Sequence, residues 1–545
     1  MMKRQILDCT LRDGGYLTEK HFNENIVRGI INGLTEAAID YVEIGFLQDD
    51  VNPHENVAYQ NSKDARKFIP DNRKNTLYTV LADYSRYSVS NLDPYDGQSF
   101  DAVRVCFFKR ERKDITSFAR EVIAKGYKLF VQPVDILGYS DIELIDLISD
   151  VNLIKPDGFA IVDTFGSMYM DDLHTVFSII HHNLNPNIAI DFHSHNNLQM
   201  SSALSQEFLN ISQNKRDAVV DSTIMGIGRG AGNAPTELIV QYANDKMNGK
   251  YHLDTILDLI DSYIMGIKAQ FKWGYDISMF LAGCFSSHVN NVDYLLKKPS
   301  LCSKDIRFIL NSVDAAQRKR YDYNNLEALY LEYLKSNIDD SNAMEILSNA
   351  VSGKKILVVA PGKSVGTEKA AIQSFIKRHN PIVIAVNFLP DMFPFDYVYF
   401  SNRHRYDFWK YDDRLKNIKK IITSNISSTD EENDLTISFL RLVKSGWNNL
   451  DNSVIMLLRL LDGLSVNIIA LAGFDGFSAE GGSYFSQDFE NETNPKECLQ
   501  KNAEIEDMFF NFLQNKKVKK VFFITQSRFD KTAGLSDMDS LEGDT

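Results

Sequence analysis

The stretch 10-TLRDGGY-16 follows directly on a short apolar run, 5-QILDCTL-11, near the start of the chain. An apolar run of this length that meets a pair of glycines is typical of a buried strand that enters a loop. Arg12 and Asp13 would then lie where a strand ends. Ligands of parallel α/β proteins bind at this end of the strands, so the stretch predicts either the edge of an active site or a salt-bridged turn.

Similar apolar runs recur through the first 230 residues. They are YVEIGF (41–46), TLYTVLA (76–82), AVRVCFF (102–108), KLFVQPV (128–134), GFAIVDT (158–164), AIDFHSH (189–195) and AVVDSTI (218–224). Amphipathic stretches lie between most of them, and this alternation predicts a parallel α/β structure. Eight strand–helix units favour a closed TIM (β/α)8 barrel. An open doubly wound sheet is the alternative, because periodicity does not reveal closure.

Composition limits the classes of protein to which the chain can belong. Its 545 residues are too many for one core and suggest two or three domains. The net charge of -14 argues against a general nucleic-acid partner, although it does not oppose a local site for small anions. The five cysteines lack CxxC spacing, so neither a disulfide framework nor a structural zinc site is indicated. No apolar run has the length of a membrane span or of a signal peptide, which favours the cytoplasm.

Two histidines at the end of the seventh predicted strand are the first candidates for metal ligands. His193 and His195 are two residues apart, so their side chains leave the same face of a strand. Closure of a barrel would bring Asp13 beside them, whereas two hydrogen-bonded histidines are the alternative without a metal. Mixed nitrogen and oxygen ligation suits Mn²⁺ or Mg²⁺, with Zn²⁺ or Co²⁺ also open. Asn233, in the glycine-rich loop GIGRGAGNAP, is a candidate for a further contact with metal or substrate.

Two charged side chains, Glu43 and Arg104, fall within predicted strands rather than at strand ends. A charge inside a barrel needs a partner. The two are therefore expected either to form a mutual ion pair or to take part in the site.

A divalent cation at this position suggests a class of chemistry. It would chelate a 2-oxo acid through the carboxylate and keto oxygens and stabilise the enolate formed by deprotonation or by carbon–carbon cleavage. Arg12 would hold the same developing oxyanion. The glycine-rich loop would let the backbone approach a substrate closely, and a plain strand-to-helix turn is the alternative reading of that loop.

Four motifs in this order resemble those of the DRE-TIM metallolyases: TLRDGGY (10–16), VDTFGSM (162–168), FHSHNN (192–197) and GIGRGAGNAPTEL (226–238). That group includes 4-hydroxy-2-oxovalerate aldolase, HMG-CoA lyase, and the isopropylmalate and homocitrate synthases. The resemblance covers about residues 3–300. It implies a TIM barrel with a divalent metal on Asp13, His193 and His195, and it implies that Arg12 stabilises the enolate.

Within the group, GAGNAP and the later KWGYDISMFLAGCFSSH (272–288) are more similar to the hydroxy-oxo-acid aldolases. This similarity implies an aldol or retro-aldol reaction that interconverts a 4-hydroxy-2-oxo acid with pyruvate and an aldehyde. Two positions depart from the aldolase pattern. Tyr16 stands where the aldolases carry a catalytic histidine, and Phe285 stands where they carry a tyrosine. Candidates for the proton-transfer group are then Tyr16, His288 or a hydroxide held by the metal.

The second half of the chain predicts a different α/β unit. A helical segment over 301–350 would lead from the barrel domain (1–300) to a Rossmann-like domain (351–528), followed by an acidic tail (529–545) expected to be disordered. Gly362, Lys363 and Ser364 would lie at a helix N-terminus, which is a natural phosphate site. The motifs VVAPGKS, VIAVN and ALAGFDG resemble Rossmann-like domains of bacterial sialyltransferase type. That resemblance implies a nucleotide or sugar nucleotide, and a non-catalytic assembly domain is the alternative.

The leading hypothesis is a metal-dependent aldolase acting on a small 2-oxo acid and an aldehyde, with no nucleic-acid or membrane partner and with a homo-oligomer left open. One alternative is a Claisen-type synthase that uses an acyl-CoA. The other is a barrel that has lost its chemistry and serves as a scaffold.

Overall fold

The computed structural model describes residues 2–298, 301–334, 338–426, 434–444, 446–447, 452–480, 482–485 and 495–530. These residues form two compact units. The first unit comprises the described residues of Met1–Asp293 together with Asp314–Tyr321, and the second comprises those of Tyr294–Val313 and Asp322–Thr545. From residue 531 onward, the predicted acidic tail lies outside the described residues. The predicted domain limits at 300, 350 and 528 stay predictions.

The first unit is built on nine parallel strands. They are β1 (Arg4–Asp8), β2 (Tyr41–Leu47), β3 (Ala58–Tyr59), β4 (Leu77–Asp83), β5 (Ala102–Phe107), β6 (Lys128–Pro133), β7 (Gly158–Asp163), β8 (Ala189–Ser194) and β9 (Ala218–Ser222). The sheet runs β1-β9-β8-β7-β6-β5-β4-β2, and β1 also pairs with β2. This last pairing closes the barrel, so the predicted TIM barrel is confirmed. The two-residue strand β3 lies outside the ring, beside β2.

Helices follow the strands as the alternating pattern predicts. In the first unit they are Thr10–Gly15, Glu24–Glu36, Ser62–Arg66, Ile115–Ala124, Asp141–Ile154, Met170–Asn183, Ser201–Ile211, Thr236–Met247, Leu253–Leu259, Met265–Lys268, Ile277–Cys284 and Ala315–Arg318, and Val289–Leu296 spans the boundary between the units. The apolar faces of the helices from Thr10–Gly15 to Met265–Lys268 pack with the strands in one large core cluster.

The opening motif differs from its sequence-based prediction. Strand β1 ends at Asp8, and TLRDGG forms a short helix, Thr10–Gly15, rather than a tight loop. Neither glycine has a left-handed backbone. Their small size matters instead, because a Cβ at Gly14 would lie 3.0 Å from Ile227 Cδ1 and one at Gly15 would lie 3.0 Å from Phe46 Cε2.

Alternate residues of the strands fill the barrel in layers, because every second side chain of a strand points to the same face. The layer nearest the amino ends is apolar and contains Leu7, Tyr41, Ala102, Phe130 and Val219. Two residues further along the strands, the inward side chains are charged and buried: Glu43, Arg104, Asp191 and Asp221. His193 lies two residues beyond Asp191 on β8. The barrel interior therefore has an apolar layer near the amino ends of the strands, an ionic layer of buried charges above it, and His193 above these charges.

The second unit contains an open sheet of seven parallel strands. They are β10 (Lys355–Val359), β11 (Ile382–Val386), β12 (Tyr397–Phe400), β13 (Lys419–Thr423), β14 (Asp434–Ile437), β15 (Ile468–Ala472) and β16 (Lys520–Phe523). Their order is β14-β13-β12-β11-β10-β15-β16, so the winding direction reverses at β10. Such a reversal is where ligands of open α/β sheets bind. Strand β14 was not predicted from the sequence.

The helices of the second unit are Ser303–Ser312, Tyr323–Leu334, Ser341–Val351, Ser364–Thr367, Lys369–His379, Arg403–Trp409, Phe439–Leu442, Ser453–Gly463 and Pro495–Asn515. Within the described parts of the chain, no helix combines the length and the apolar character that a membrane crossing requires.

The ionic layer makes a prediction about stability. Replacement Arg104→Met removes the cation that neutralises buried carboxylates, and breaking a buried ion pair from one side costs about 3–5 kcal/mol. We expect a correspondingly lower urea midpoint for the barrel transition, followed by circular dichroism. Exposed Arg120 on helix Ile115–Ala124 provides the matched control, and Arg120→Met should change stability by less than about 0.5 kcal/mol. Equal shifts in the two variants would contradict a stabilising role for Arg104.

Candidate active site

Three buried side chains, those of Cys9, Asp13 and His193, meet at the carboxyl ends of β1 and β8, and each places a potential ligand atom within 4.8 Å of the others. Asp13 Oδ2 lies 3.5 Å from His193 Nε2. Closure of the barrel therefore brings Asp13 beside His193. The half-buried His195 lies outside this group of three, with its ring 5.0 Å from that of His193. The ligand set Asp13, His193 and His195 stays a prediction.

Two buried polar atoms beside Asp13 and His193 have no hydrogen-bond partner among the described residues. They are His195 Nδ1 and Asn233 Oδ1. Burying polar atoms without partners is costly, so a native site with two of them calls for an explanation. A divalent cation would supply one, because carboxylate, imidazole and amide oxygen together form a suitable donor set. The residues present therefore fit a metal ion.

Asn233 is held beside the histidines by the glycine-rich loop. His195 and Asn233 form an isolated antiparallel bridge, and Asn196 N donates to the carbonyl of Gly232 at 2.8 Å. The side-chain nitrogen of Asn233 donates to the carbonyl of Ile227 at 3.2 Å. This contact leaves the amide oxygen as the group available to a cation.

Cys9 is a member of the group that the sequence did not predict as a site residue. Its sulfur lies 3.7 Å from Asp13 Oδ2 and 3.4 Å from the carbonyl oxygen of Ser222, and its single hydrogen can be donated to either acceptor. Burial raises the pKa of Cys9 well above its usual range. The sulfur is therefore a neutral hydrogen-bond donor that orients Asp13. Its position four residues before Asp13 was the only sequence signal for this contact.

His193 is fixed by the ionic layer beneath it. Its Nδ1 lies 2.8 Å from Asp221 Oδ2, which leaves Nε2 to face Asp13. Burial lowers the pKa of His193 well below its ordinary value, although Asp13 opposes this shift. The imidazole is therefore neutral at pH 7, which is the form that binds a metal. A carboxylate behind a ligating histidine is a common support for a metal site.

Arg104 connects the two sides of the ionic layer. Its guanidinium contacts Asp191 at 2.7 Å and Glu43 at 3.3 Å, and it also pairs with Asp221. The expected ion pair between Glu43 and Arg104 is present, and two aspartates extend it. Burial, reinforced by Asp221, raises the pKa of Asp191 to about 7.

Arg12 lies between this layer and the candidate metal ligands. Its Nε donates to Glu43 Oε2 at 2.7 Å, and its Nη1 is 2.9 Å from Asp13 Oδ1. Burial alone would lower the pKa of Arg12, but the two carboxylates raise it well above its ordinary value. The guanidinium is therefore permanently charged and fixed in direction. Such a group can stabilise an oxyanion that forms beside Asp13.

A cavity of about 1050 Å³ opens above this group, and all of its lining residues belong to the first unit. Arg12, Tyr16, His193, His195 and His288 are among these residues. The structure therefore brings the predicted proton-transfer candidates Tyr16 and His288 to the same cavity as the candidate metal ligands.

Neither candidate has the pKa of an efficient general base. Desolvation raises the pKa of Tyr16 although Arg12 opposes the shift, so the phenol remains protonated. Burial and the charge of Arg229 lower the pKa of His288 to about 4, so its imidazole is neutral and only weakly basic. Phe285 is not among the residues that line the cavity, and Arg318 stacks over its ring at 5.4 Å.

Arg229 is a cavity residue that sequence reasoning missed. It belongs to the loop GIGRGAGNAP, where attention fell on the glycines and on Asn233. Its guanidinium donates to Nε2 of His288, and its charge adds to the effect of burial in lowering the pKa of that imidazole. The signal in the sequence was an arginine within a loop predicted to approach the substrate.

In the second unit, Gly362, Lys363 and Ser364 follow β10 at the reversal of the sheet, where the sequence placed a phosphate site. The backbone N–H of Ser364 donates to Asp475 Oδ2 at 2.7 Å, and its hydroxyl donates to Asp475 Oδ1 at 2.6 Å. A carboxylate of the chain thus holds the group expected to receive a phosphate. The predicted nucleotide and the role of these three residues stay predictions.

Comparison with known proteins agrees with the geometry of the first unit. Residues 104–262 match the HMGL-like family. The chain is 25% identical over 284 residues to oxaloacetate decarboxylase of Mycobacterium tuberculosis, covering 50% of this chain and 79% of that protein. It is 22% identical over 311 residues to 4-hydroxy-2-oxovalerate aldolase of Moorella thermoacetica, covering 55% and 89%. The N-terminal half of the chain is an HMGL-like domain of the DRE-TIM type, as its motifs predicted.

One solved structure is similar over the same part of the chain. It is the N-terminal domain of a putative aldolase from Bacteroides vulgatus, with a TM-score of 0.46 and 23% identity. The match covers 54% of this chain and 96% of that one.

The contact between His193 and Asp221 makes a prediction about metal affinity. Replacement Asp221→Asn removes the carboxylate that orients the imidazole, and a change of this kind weakens metal binding about 10- to 100-fold. Titration with Mn²⁺, followed by electron paramagnetic resonance, measures the effect, and Asp13→Asn should weaken binding further. Exposed His174, on helix Met170–Asn183, supplies the control His174→Ala, which should bind Mn²⁺ like the wild type. Unchanged affinity in Asp13→Asn would place the metal elsewhere.

Proposed function

We propose that the N-terminal domain is a divalent-metal-dependent carbon–carbon lyase that acts on a 2-oxo acid through a pyruvate-type enolate, and that its reaction is the aldol cleavage or formation of a 4-hydroxy-2-oxo acid. The main observation in support of this proposal is that Asp13, His193 and the permanently charged Arg12 lie in contact at the base of one cavity. The metal, when bound, would polarise the keto group of the oxo acid. Asp13, His193, His195 and Asn233 would hold it.

The residues of the chain have distinct tasks in this reaction. Arg12 is held by Glu43, so its guanidinium would meet the enolate oxygen without first reorganising. In cleavage, the hydroxyl at C4 loses its proton, the C3–C4 bond breaks, and its electron pair forms the enolate of pyruvate. A proton then returns to C3. In the direction of synthesis, C3 of pyruvate first loses a proton, the resulting enolate attacks the aldehyde carbon, and the aldehyde oxygen takes up a proton.

Removal of the C4 hydroxyl proton needs a general base, and the site offers only weak candidates for this role. Tyr16 stays protonated and His288 is only weakly basic. His288 is the better candidate, because its neutral ring can accept a proton when substrate displaces Arg229 from Nε2. The preferred ion, Mn²⁺ or Mg²⁺ rather than Zn²⁺ or Co²⁺, is proposed from the nitrogen and oxygen donors alone.

The weakness of the candidate bases favours a second reaction of the same enolate. Decarboxylation of a 2-oxo acid with a carboxylate on C3 needs no base, because the bond to the carboxylate breaks, carbon dioxide leaves, and the electron pair forms the enolate directly. The similarity to a protein named oxaloacetate decarboxylase supports this candidate. The same metal ligands and Arg12 would serve both reactions.

The second domain has no step in this proposal. A nucleotide or sugar nucleotide remains its expected ligand, and the reversal of strand order at β10 supports a site there. Asp475 would have to turn away from Ser364 before a phosphate could take its place.

Exchange of the methyl protons of pyruvate into D₂O tests the enolate without knowledge of the aldehyde. With Mg²⁺ or Mn²⁺ supplied, we expect exchange by NMR for the wild type and for the control His174→Ala. The exchange should be lost in His193→Ala, which lacks a metal ligand. A folded wild type that exchanges no protons with any divalent metal would refute the proposal, and a scaffold barrel would behave in this way.

Two substrates then separate the candidate reactions. Release of pyruvate from 4-hydroxy-2-oxovalerate above the rate with free metal would identify an aldolase. Release from oxaloacetate, without condensation of pyruvate with any aldehyde supplied, would identify a decarboxylase.

A further inference from the structure

The cavity above the candidate metal ligands is lined by more cations than carboxylates, although the whole chain carries a net charge of -14. Besides Arg12, six arginine or lysine side chains line it, against two carboxylates, Asp83 and Asp135. A concentration of one sign of charge in a cleft attracts ligands of the opposite sign. The cavity is therefore suited to an anion with more charge than the carboxylate of pyruvate.

Most of these cations already have an acidic partner. Arg86 lies 3.5 Å from Asp83, Lys319 lies 2.5 Å from Asp135, and Lys109 and Arg110 pair with Glu143 and Glu111. The exceptions are Arg229 and Arg320, which make no ion pair to a carboxylate among the described residues.

The contact with His288 orients the guanidinium of Arg229 but does not neutralise its charge. Arg229 donates to Nε2 of His288, a neutral side chain, so its full positive charge remains directed at the cavity. The loop that carries Arg229 also carries Asn233, one of the candidate metal ligands. Arg229 and the candidate metal ligands His193 and His195 also line the same cavity.

Arg320 comes from a segment that follows the barrel in sequence. Asp314–Tyr321 belongs to the same compact unit as the barrel, and the backbone N–H of His288 donates to the carbonyl of Arg318 at 2.9 Å. The side-chain nitrogen of Asn291 donates to the carbonyls of Arg318 and Arg320, each at 2.8 Å. These bonds fix the segment at the cavity, with Arg320 at its rim.

The volume gives the approximate size of the ligand. A cavity of about 1050 Å³ is slightly larger than the roughly 300–1,000 Å³ that accommodates drug-sized ligands. A five-carbon 4-hydroxy-2-oxo acid would leave most of it unfilled.

We propose that the aldehyde used by this domain is a larger molecule that carries an anionic group, a phosphate or a carboxylate, at the end remote from its reacting carbonyl, and that Arg229 and Arg320 bind this group. The inference rests on the aldolase function proposed above. Arginine suits both anions, because its planar guanidinium donates paired hydrogen bonds to either. The anionic group is unchanged by the reaction, in which only the carbonyl carbon and oxygen form new bonds.

Two matched pairs of aldehydes test this assignment with pyruvate, metal and the full-length protein. D-glyceraldehyde 3-phosphate is compared with D-glyceraldehyde, and succinic semialdehyde is compared with butanal. We expect kcat/KM for the charged member of one pair to exceed that of the neutral member by about tenfold or more, the factor typical of a hydrogen bond between charged groups. The pair that shows the preference identifies the anion as phosphate or carboxylate.

Variants assign the preference to residues. Arg229→Gln and Arg320→Gln should each reduce the ratio of the two kcat/KM values several-fold, whereas the exposed control Arg120→Gln should keep the wild-type ratio. Thermal melting of each variant shows whether it is folded. Equal kcat/KM values within both pairs, or a preference that both cavity variants retain, would overturn the inference.

Exchange of pyruvate methyl protons, measured on the same preparations, separates this inference from the proposed function. Exchange without a preference for charged aldehydes defeats only the anion site. Absence of exchange in the wild type defeats the lyase itself, and the anion site is overturned with it.

Discussion

The side chain of Arg104 neutralises the interior of the barrel at the level just below the site. It contacts Glu43 on one side and Asp191 and Asp221 on the other, all of them out of contact with water. Three buried carboxylates without this cation would repel one another and would have to take up protons. Arg104, together with Arg12 on Glu43, therefore compensates much of the negative charge that lies under the active site.

The same layer of buried charges orients both Arg12 and His193. Glu43 holds Arg12, which would face an enolate oxygen, and Asp221 holds the imidazole of His193, which faces Asp13. Both supporting carboxylates meet at Arg104. Preorganised charges stabilise an oxyanion more effectively than charges that must move, so rigidity here serves catalysis as well as stability.

The loop after β9 joins two parts of the proposed site. Its asparagine, Asn233, reaches the candidate metal ligands, and its arginine, Arg229, reaches the cavity above them. A loop that spans both parts can couple the position of the oxo acid to that of the second substrate. The proposed anion site thus uses Arg229, which belongs to the same loop as the candidate metal ligand Asn233. Arg320 contributes to the anion site from a segment outside the eight strand–helix units.

Much of the first unit was predictable from the sequence, because the physical causes are local. Alternation of apolar runs with amphipathic stretches predicts the eight strands, and a spacing of two places His193 and His195 on one face. Closure of the ring and the contact of Asp13 with His193 follow from pairing of β1 with β9 and β2, which the family motifs anticipated.

Other features depend on contacts between residues far apart in the chain. The helix Thr10–Gly15 has two glycines because Ile227 and Phe46 pack against them, not because the backbone needs a left-handed turn. The carboxylate of Asp475 reaches Ser364 across 111 positions, and no local pattern announces it. Periodicity predicted parallel α/β units in both halves of the chain and polar strand ends in the first, and the family motifs added closure of the barrel. Tertiary packing alone decided which charges meet, because partners such as Arg104 and Asp221 are distant in sequence and are brought together only when the ring of strands closes.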